Sequence, residues 1–311
     1  GQAAAFSMEL LFIVVIMLHF YNQLSRHAER YQTITGKGYR PRMMNLGRLR
    51  FVTAGVLVFF FIIIIVLPLA ILLWASFLPY HQHFSIDAIS TMTLQNYVSV
   101  FQSESLRGSV LNTIIMGVGT ATITASLTAL CAWYAVRRYK GGWLLDQLAT
   151  LPLVFPAIVM GVAFLQVYLQ LPFEFYGTLM SIILAQAVRD LPYGMRYSYA
   201  GVLQIHTELE EASSISGARQ IATFVRIVVP LIAPAMMTCW LFVFLLAVRS
   251  VSLPLLLVGP DSQVVAVTLF DLWENGQITE LAAMGVSWMA LMTVVSGGFF
   301  MVARRYGLTV R

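Results

Sequence analysis

The chain has 311 residues, 59% hydrophobic and 11% charged, with a mean hydropathy of +0.79 and a net charge of +5. A soluble domain carries roughly 25% charged residues, so this composition excludes an ordinary soluble fold and predicts an all-α integral membrane protein. The positive charge does not argue for nucleic acid, because the cations cluster between apolar runs, as the positive-inside rule expects.

In chain order, about seven apolar segments can cross a bilayer: near 3–21, 51–77, 108–136, 148–170, 177–200, 230–249 and 281–303. Crossing takes roughly 20 residues, and the longer segments imply tilt or protruding ends. The linker 22–50 carries Arg26, Arg30, Lys37, Arg40, Arg42, Arg48 and Arg50. Arg137, Arg138 and Lys140 follow the third segment, Arg219 and Arg226 lie in the stretch 204–229, and Arg304, Arg305 and Arg311 lie in the tail. The alternate connections are poor in cations: 78–107 has Arg107 alone, and 171–176 has none. Seven spans put all four basic regions on one side, which is then cytoplasmic. The N-terminus is expected outside, the C-terminus inside, and the stretch 204–229 inside.

The outer stretch 78–106, with Asp87, Asn96 and Glu104, predicts a short surface helix. Residues 251–272 are apolar but interrupted by Pro254 and by Gly259-Pro260, and each half is too short to span. They read as a re-entrant or outer-face hairpin, which requires backbone buried in protein or lining a wet cavity. Gly117, Gly119, Gly161, Gly297 and Gly298 fall inside apolar segments, where small residues allow close helix packing.

Residues 208–234 are the most informative. An acidic start (Glu208, Glu210, Glu211) is followed by small residues, Gly217, an amphipathic run, Pro230 and Pro234. Thr207 with Glu210 has the spacing of a capping box, and acids in a first turn suit the helix dipole. Gly217 can take the left-handed conformation that ends a helix. The pattern predicts one short helix over 208–216. A second is expected from Ala218 toward Val229, stopping near Pro230.

This spacing resembles the EAA loop of binding-protein-dependent ABC importer permeases. The matching positions are Glu211, Ala212, Gly217, Ala218, Phe224, Ile227, Pro230 and Pro234, with Ser213 in place of an alanine and Val229 in place of a leucine. The linker Arg30–Arg42 (RYQTITGKGYRPR), Arg189–Tyr193 (RDLPY), Gly259-Pro260 and Leu269–Trp273 (LFDLW) are similar to the second half of fused ferric-iron-type permeases. The resemblance implies a permease domain over 51–311, with an ATPase-coupling loop at 204–229 in which Glu208, Glu210, Glu211, Ala212, Gly217, Ala218, Arg219 and Phe224 take part. It implies two cytoplasmic ABC ATPase subunits that hold ATP and Mg, an extracytoplasmic solute-binding protein and a second permease half in a bacterial inner membrane. Ferric iron leads as substrate, with phosphonate, organic phosphate, thiamine and polyamine open.

The residues themselves offer no catalytic centre. No G-x-x-x-x-G-K-[ST] phosphate loop occurs, so no ATP site is expected on this chain. No metal-ligand spacing appears. His81 and His83 read as a solvated outer loop, and His19 and His206 as structural. Cys131 and Cys239 lie in apolar runs and read as small buried hydrophobes. Arg189 and Asp190 fall inside the fifth segment, where a charge costs roughly 2.5–3.5 kcal/mol on insertion scales. They should therefore face protein or a wet cavity. With Arg249 and Asn112 they are the candidate pathway residues, against a purely structural reading as helix-to-helix ties. An ion-coupled secondary transporter is the remoter rival and would need ion sites in broken helices.

Offsetting the chain by 278 residues pairs Ala4-Ala5 with Ala282-Ala283 and Arg26 with Arg304. Segment 1–21 therefore resembles the last helix of a preceding copy. The expectation is a partner half with its own coupling loop, either N-terminal to Gly1 or on another chain.

Overall fold

The computed structural model describes Ile16 and residues 47–305. The expected helix 1–21, most of the linker 22–50 and Arg311 fall outside them. The described residues are helical, with no strand beyond one isolated parallel bridge between Gly177 and Val258. This is the all-α membrane fold the composition requires.

Helix α1 (Leu49–Ser76) contains a π turn at Ile62–Val66. Two short helices, α2 (Ile86–Ser90) and α3 (Gln95–Gln102), lead to α4 (Glu104–Val136). Helix α5 (Gly142–Thr150) runs through a 3₁₀ turn into α6 (Ala157–Leu169). Helix α7 (Leu179–Leu203) is followed by α8 (Glu208–Ile215) and by α9 (Gln220–Val248). Short α10 (Pro254–Leu257) and α11 (Val265–Glu274) precede α12 (Ile278–Arg305). Of these, α1, α4, α9 and α12 are long and apolar enough to cross a membrane. Helix α7 has 25 residues, enough for a crossing, but carries Arg189, Asp190 and Arg196.

The bundle centre is α4, with α7 against one side and α9 against another. Its inward face is small and weakly polar: Thr113, Thr120, Thr124, Thr128, Ala121, Ala125, Ala129 and Ala132 are all buried. Lipid is as apolar as leucine, so close van der Waals approach and interhelical hydrogen bonds must hold the helices. Thr124 Oγ1 donates to the Ala187 carbonyl at 3.3 Å, and the Thr128 and Ser198 hydroxyls meet at 3.2 Å. A Cβ on Gly117 would lie 2.6 Å from Val248 Cγ1, and one on Gly194 2.8 Å from Thr128 Oγ1. Gly119 and Gly161 also sit in tight contacts. At Gly297 and Gly298 a side chain would meet nothing within 4 Å among the described residues.

Prolines correct two expectations. Segment 148–170 is not one continuous helix. It bends by 110° between Gly142–Val154 and Ala157–Leu169, because Phe155 and Pro156 are extended (ψ 132° and 141°). Conversely, the helix that follows Gly217 does not stop at Pro230. It continues to Val248, with a π turn at Phe224–Val228 directly ahead of the proline. Proline lacks an N–H and crowds the carbonyl four residues back, and the wider π turn absorbs that mismatch.

The expected hairpin over 251–272 is present, with Leu253, Leu257, Val264 and Val265 fully buried beneath it. Gly177 and Gly259 approach so closely that neither tolerates a side chain comfortably. Ser262 Oγ bridges them, accepting from Gly259 N and donating to the Gly177 carbonyl, both at 2.8 Å. The stretch 78–106 holds two short helices rather than one. Asn96, expected at the surface, is buried and donates to the Ser76 and Leu78 carbonyls at 2.9 and 2.7 Å.

The close approach of α4 to α9 gives a measurable expectation. Gly117→Leu should destabilise the purified protein by about 1–3 kcal/mol, the range for overpacking. Gly297→Leu should leave the thermal midpoint in detergent in place. Equal midpoints for the two variants would contradict the packing described.

Candidate functional site

The loop begins where α7 ends, and Val202 and Ile205 anchor its entry in the core. Helix α8 then runs from Glu208 to Ile215, one residue short of the expected span. Its C-terminal cap is complete. Gly217 has φ +81°, its N–H donates to the Ser214 carbonyl at 2.9 Å, and the Ala218 N–H donates to the Ser213 carbonyl at 3.1 Å. These two bonds around a left-handed residue form a Schellman motif.

The N-terminal capping box does not form. Thr207 has helical backbone angles and its side chain caps nothing. Glu210 is drawn away by stronger donors on the last turn of α4. Trp133 Nε1 donates to Glu210 Oε2 at 2.9 Å, and Arg137 Nε donates to Oε1 at 2.8 Å, with a second guanidinium nitrogen at 2.7 Å. Charge-assisted bonds of this kind outweigh a neutral amide at a cap. Arg137 also donates to the Ile205 carbonyl at 3.0 Å. The Phe224 ring packs on Trp133 with centroids 5.0 Å apart. Beside this contact lies Tyr139, whose phenol pKa is raised by burial and then by the Glu210 charge, partly offset by Arg137. The phenol therefore stays a neutral donor near pH 7.

The eight loop residues singled out from sequence thus divide. Glu208, Glu211, Ala212, Gly217, Ala218 and Arg219 are exposed. Glu210 and Phe224 are turned into the bundle. Sequence reasoning missed Trp133 and Arg137, which lie some 75 residues upstream in an apolar run and a basic turn. It also missed Ile215 and Ile221, which are 87% and 77% exposed on the same surface. Two aliphatic side chains so exposed on a charged loop were the available signal.

Three of the four intramembrane candidates lie within electrostatic reach of one another, since Asp190 feels the charges of Arg189 and Arg249, and Asn112 stands apart. Arg189 Nη1 donates to Ser250 Oγ at 2.7 Å. Asp190 is buried and accepts from Gln186 Nε2 at 2.9 Å, one turn away on the same helix. Asn112 Nδ2 donates to the Asp261 and Gln263 carbonyls, both at 3.0 Å, and so pins the turn of the buried hairpin. Arg249 is exposed and lines an open groove of about 380 Å³ with Val251, Ala266, Phe270, Trp273 and Trp288. Among the described residues no group of three or more His, Cys, Asp or Glu could hold a metal ion.

Long apolar helices around a small-residue core, with a capped helical loop at the end rich in Arg and Lys, define a multi-pass membrane transport component. Residues 121–308 match the family described as "Binding-protein-dependent transport system inner membrane component", and the chain belongs to that family. It is 29% identical over 293 residues to the "Ferric transport system permease protein FbpB" of Actinobacillus pleuropneumoniae, covering 93% of this chain and 42% of that protein. It is 30% identical over 263 residues to the "Putative ferric transport system permease protein FbpB 1" of Haemophilus influenzae, covering 83% of this chain and 40% of that protein. The chain therefore spans about two fifths of the length of these relatives. A solved bacterial ABC transporter "involved in the import of the acidic polysaccharide alginate" shares the fold, with a TM-score of 0.64 at 16% identity over 83% of this chain and 96% of that one.

Asn112 generates the second expectation. Asn112→Ala removes both bonds to the hairpin turn, one exposed and one half-buried, and each such bond contributes about 0.5–1.5 kcal/mol. Amide exchange at Ser262–Val265 should rise by roughly tenfold or more, with that of α8 unchanged. Unchanged exchange at the turn would show that Asn112 does not hold it.

Proposed function

We propose that this chain is the permease half of an ATP-driven importer that moves a solute handed over by a binding protein. The loop end is cytoplasmic on this reading. Two ABC ATPase subunits, which carry ATP and Mg, dock on the exposed face of α8. The observation that carries the reading is that face itself: a Schellman-capped helix whose Glu208, Glu211, Ala212 and Ile215 stand free at the cation-rich end of the bundle. A short rigid helix outside the membrane suits a groove in a partner. The chain holds no ATP site and changes no bond.

A single bundle of this size cannot enclose a two-sided pathway. The second permease half, fused or separate, supplies the other wall and a second docking loop. Helix α1 fits that arrangement. It is apolar on all sides, with no residue buried from Leu49 to Phe61, so lipid or the partner half covers it. Arg249, exposed beside the buried hairpin, faces the outer part of the pathway. Arg189 and Asn112 act mainly by holding the hairpin in place.

Ferric iron is the substrate we favour, supported by the names of the two relatives that match most of this chain. Cells carrying the intact system should take up radiolabelled ferric iron, and unlabelled ferric iron should compete where a phosphonate does not. Competition by the phosphonate and not by iron would reverse the assignment.

The docking role has its own test. Gly217 has open space around it, so a substitution there strains the backbone alone, by about 1–2 kcal/mol for a left-handed residue. Gly217→Val should insert and accumulate normally, yet lose transport and the stimulation of ATP hydrolysis by the binding protein. Normal transport by that variant would remove α8 as the docking helix.

A further inference from the structure

Helix α8 has little of its own to hold it. It is eight residues long, and only Glu210 has its side chain largely covered. Helices that short are unstable alone in water. Covalently it belongs to α7 before it and α9 after it. Its side chains say something different. Ser213 Oγ meets Thr223 Oγ1 at 2.9 Å, which ties α8 to the start of α9. Glu210 reaches across to Trp133 and Arg137, which lie at the end of α4 and have no chain connection to the loop.

The Glu210 contact is built to be stiff. The Arg137 and Glu210 side chains are 10% and 11% exposed, so salt screens the pair far less than a surface pair. Trp133 is buried, and its ring is braced by Tyr134, Tyr139 and Phe224 at centroid distances of 5.4, 5.4 and 5.0 Å. Helix α4 then runs from Trp133 back to Thr113, about 30 Å along its axis. There Thr113 Oγ1 accepts from Val265 N at 2.8 Å, and Asn112 holds the hairpin turn. One continuous rod therefore joins the loop to the buried hairpin.

We propose that Glu210 is a positioning residue that makes α4 a driven helix. A push on α8 reaches α4 through the Trp133–Glu210–Arg137 clamp, in addition to α7 and α9 through the backbone, and α4 carries it to the hairpin at the far end. This rests on the reading of α8 as the ATPase-docking helix, and it adds the route by which the force enters the bundle.

The test uses the assembled transporter, with permease, ATPase subunits and binding protein in proteoliposomes, in a Cys131→Ala, Cys239→Ala background. Spin labels at Ile215→Cys and at Lys140→Cys, on the turn after α4, report the distance between α8 and α4. The second reading is the ratio of binding-protein-stimulated to basal ATP hydrolysis. With the clamp intact, the distance should be narrow and the same without nucleotide and with ATP. Glu210→Gln should broaden it and lower the hydrolysis ratio about tenfold, within the range of a site-to-site coupling energy. The reversed pair Glu210→Arg with Arg137→Glu should narrow the distance again and recover the ratio. If Glu210→Gln fails to assemble, Trp133→Phe, which keeps an aromatic side chain and removes the N–H, decides by the same two readings.

A narrow distance with a normal ratio in Glu210→Gln overturns the proposal. So does a loss of stimulation with the distance unchanged, or a broadened distance with stimulation intact. Gly217→Val separates this failure from that of the docking reading. If it abolishes stimulation while Glu210→Gln is normal, the clamp alone is wrong; if it leaves stimulation intact, the docking reading itself fails.

Discussion

The contact on which the rest of this molecule depends is the close approach of α4 to α7 and α9. Within a bilayer the hydrophobic effect does not press helices together. Cohesion must come from surfaces that fit. Helix α4 supplies one by placing Gly117, Thr120, Ala121, Thr124, Ala125 and Thr128 along its inward face, against Ile183, Gly194, Val243 and Phe244. The threonines serve twice. They are narrow enough for close packing, and several hydroxyls return a hydrogen bond to a neighbouring carbonyl, so little polar surface is stranded. With α4 fixed in this way, two parts of it become platforms: Trp133 and Arg137 at its C-terminal end for the loop, and Asn112 and Thr113 in its N-terminal third for the buried hairpin.

Proline has opposite consequences in different parts of the chain. At Pro156 the residue before it is extended and the segment turns through 110°. At Pro192, Pro230 and Pro234 the helix continues. The difference lies in what surrounds each ring. Pro192 is buried between helices that hold α7 straight, and Pro230 follows a π turn that opens the ladder ahead of it. The local rule that a helix ends before proline is a statement about isolated backbone. Tertiary packing overrides it where continuing the rod keeps the backbone hydrogen bonds of a spanning segment satisfied.

The acids of the loop show the same limit at the level of the site. Glu208, Glu210 and Glu211 share one local context, and by sequence they are equivalent partners for a helix N-terminus. Their fates differ because only Glu210 points at the end of α4. There an indole N–H and a guanidinium offer charge-assisted bonds that a capping amide cannot match. Intramembrane Arg189 and Asp190 and the polar amide of Asn112 behave alike: each finds a partner on protein, as the cost of exposing a charged or polar group to lipid demands. Which partner it finds could not be read from the chain.

Composition alone determined the membrane fold, because 59% hydrophobic residues and 11% charged cannot be placed in water. The short range of the loop was equally legible. The Gly217 cap and the length of α8 follow from backbone preferences that act over four or five residues. The broken hairpin at 251–272 was visible for the same reason, since proline and glycine interrupt apolar runs wherever they occur. What only the tertiary structure decided was pairing between distant segments: Glu210 with Trp133 and Arg137, Asn112 with the turn at 261–263, and Gly117 with Val248. Helical periodicity says which face of a rod is apolar or small, but not which other rod will meet it. In lipid, where every face is nearly as apolar as the next, that choice rests on shape and a few hydrogen bonds set across the whole bundle.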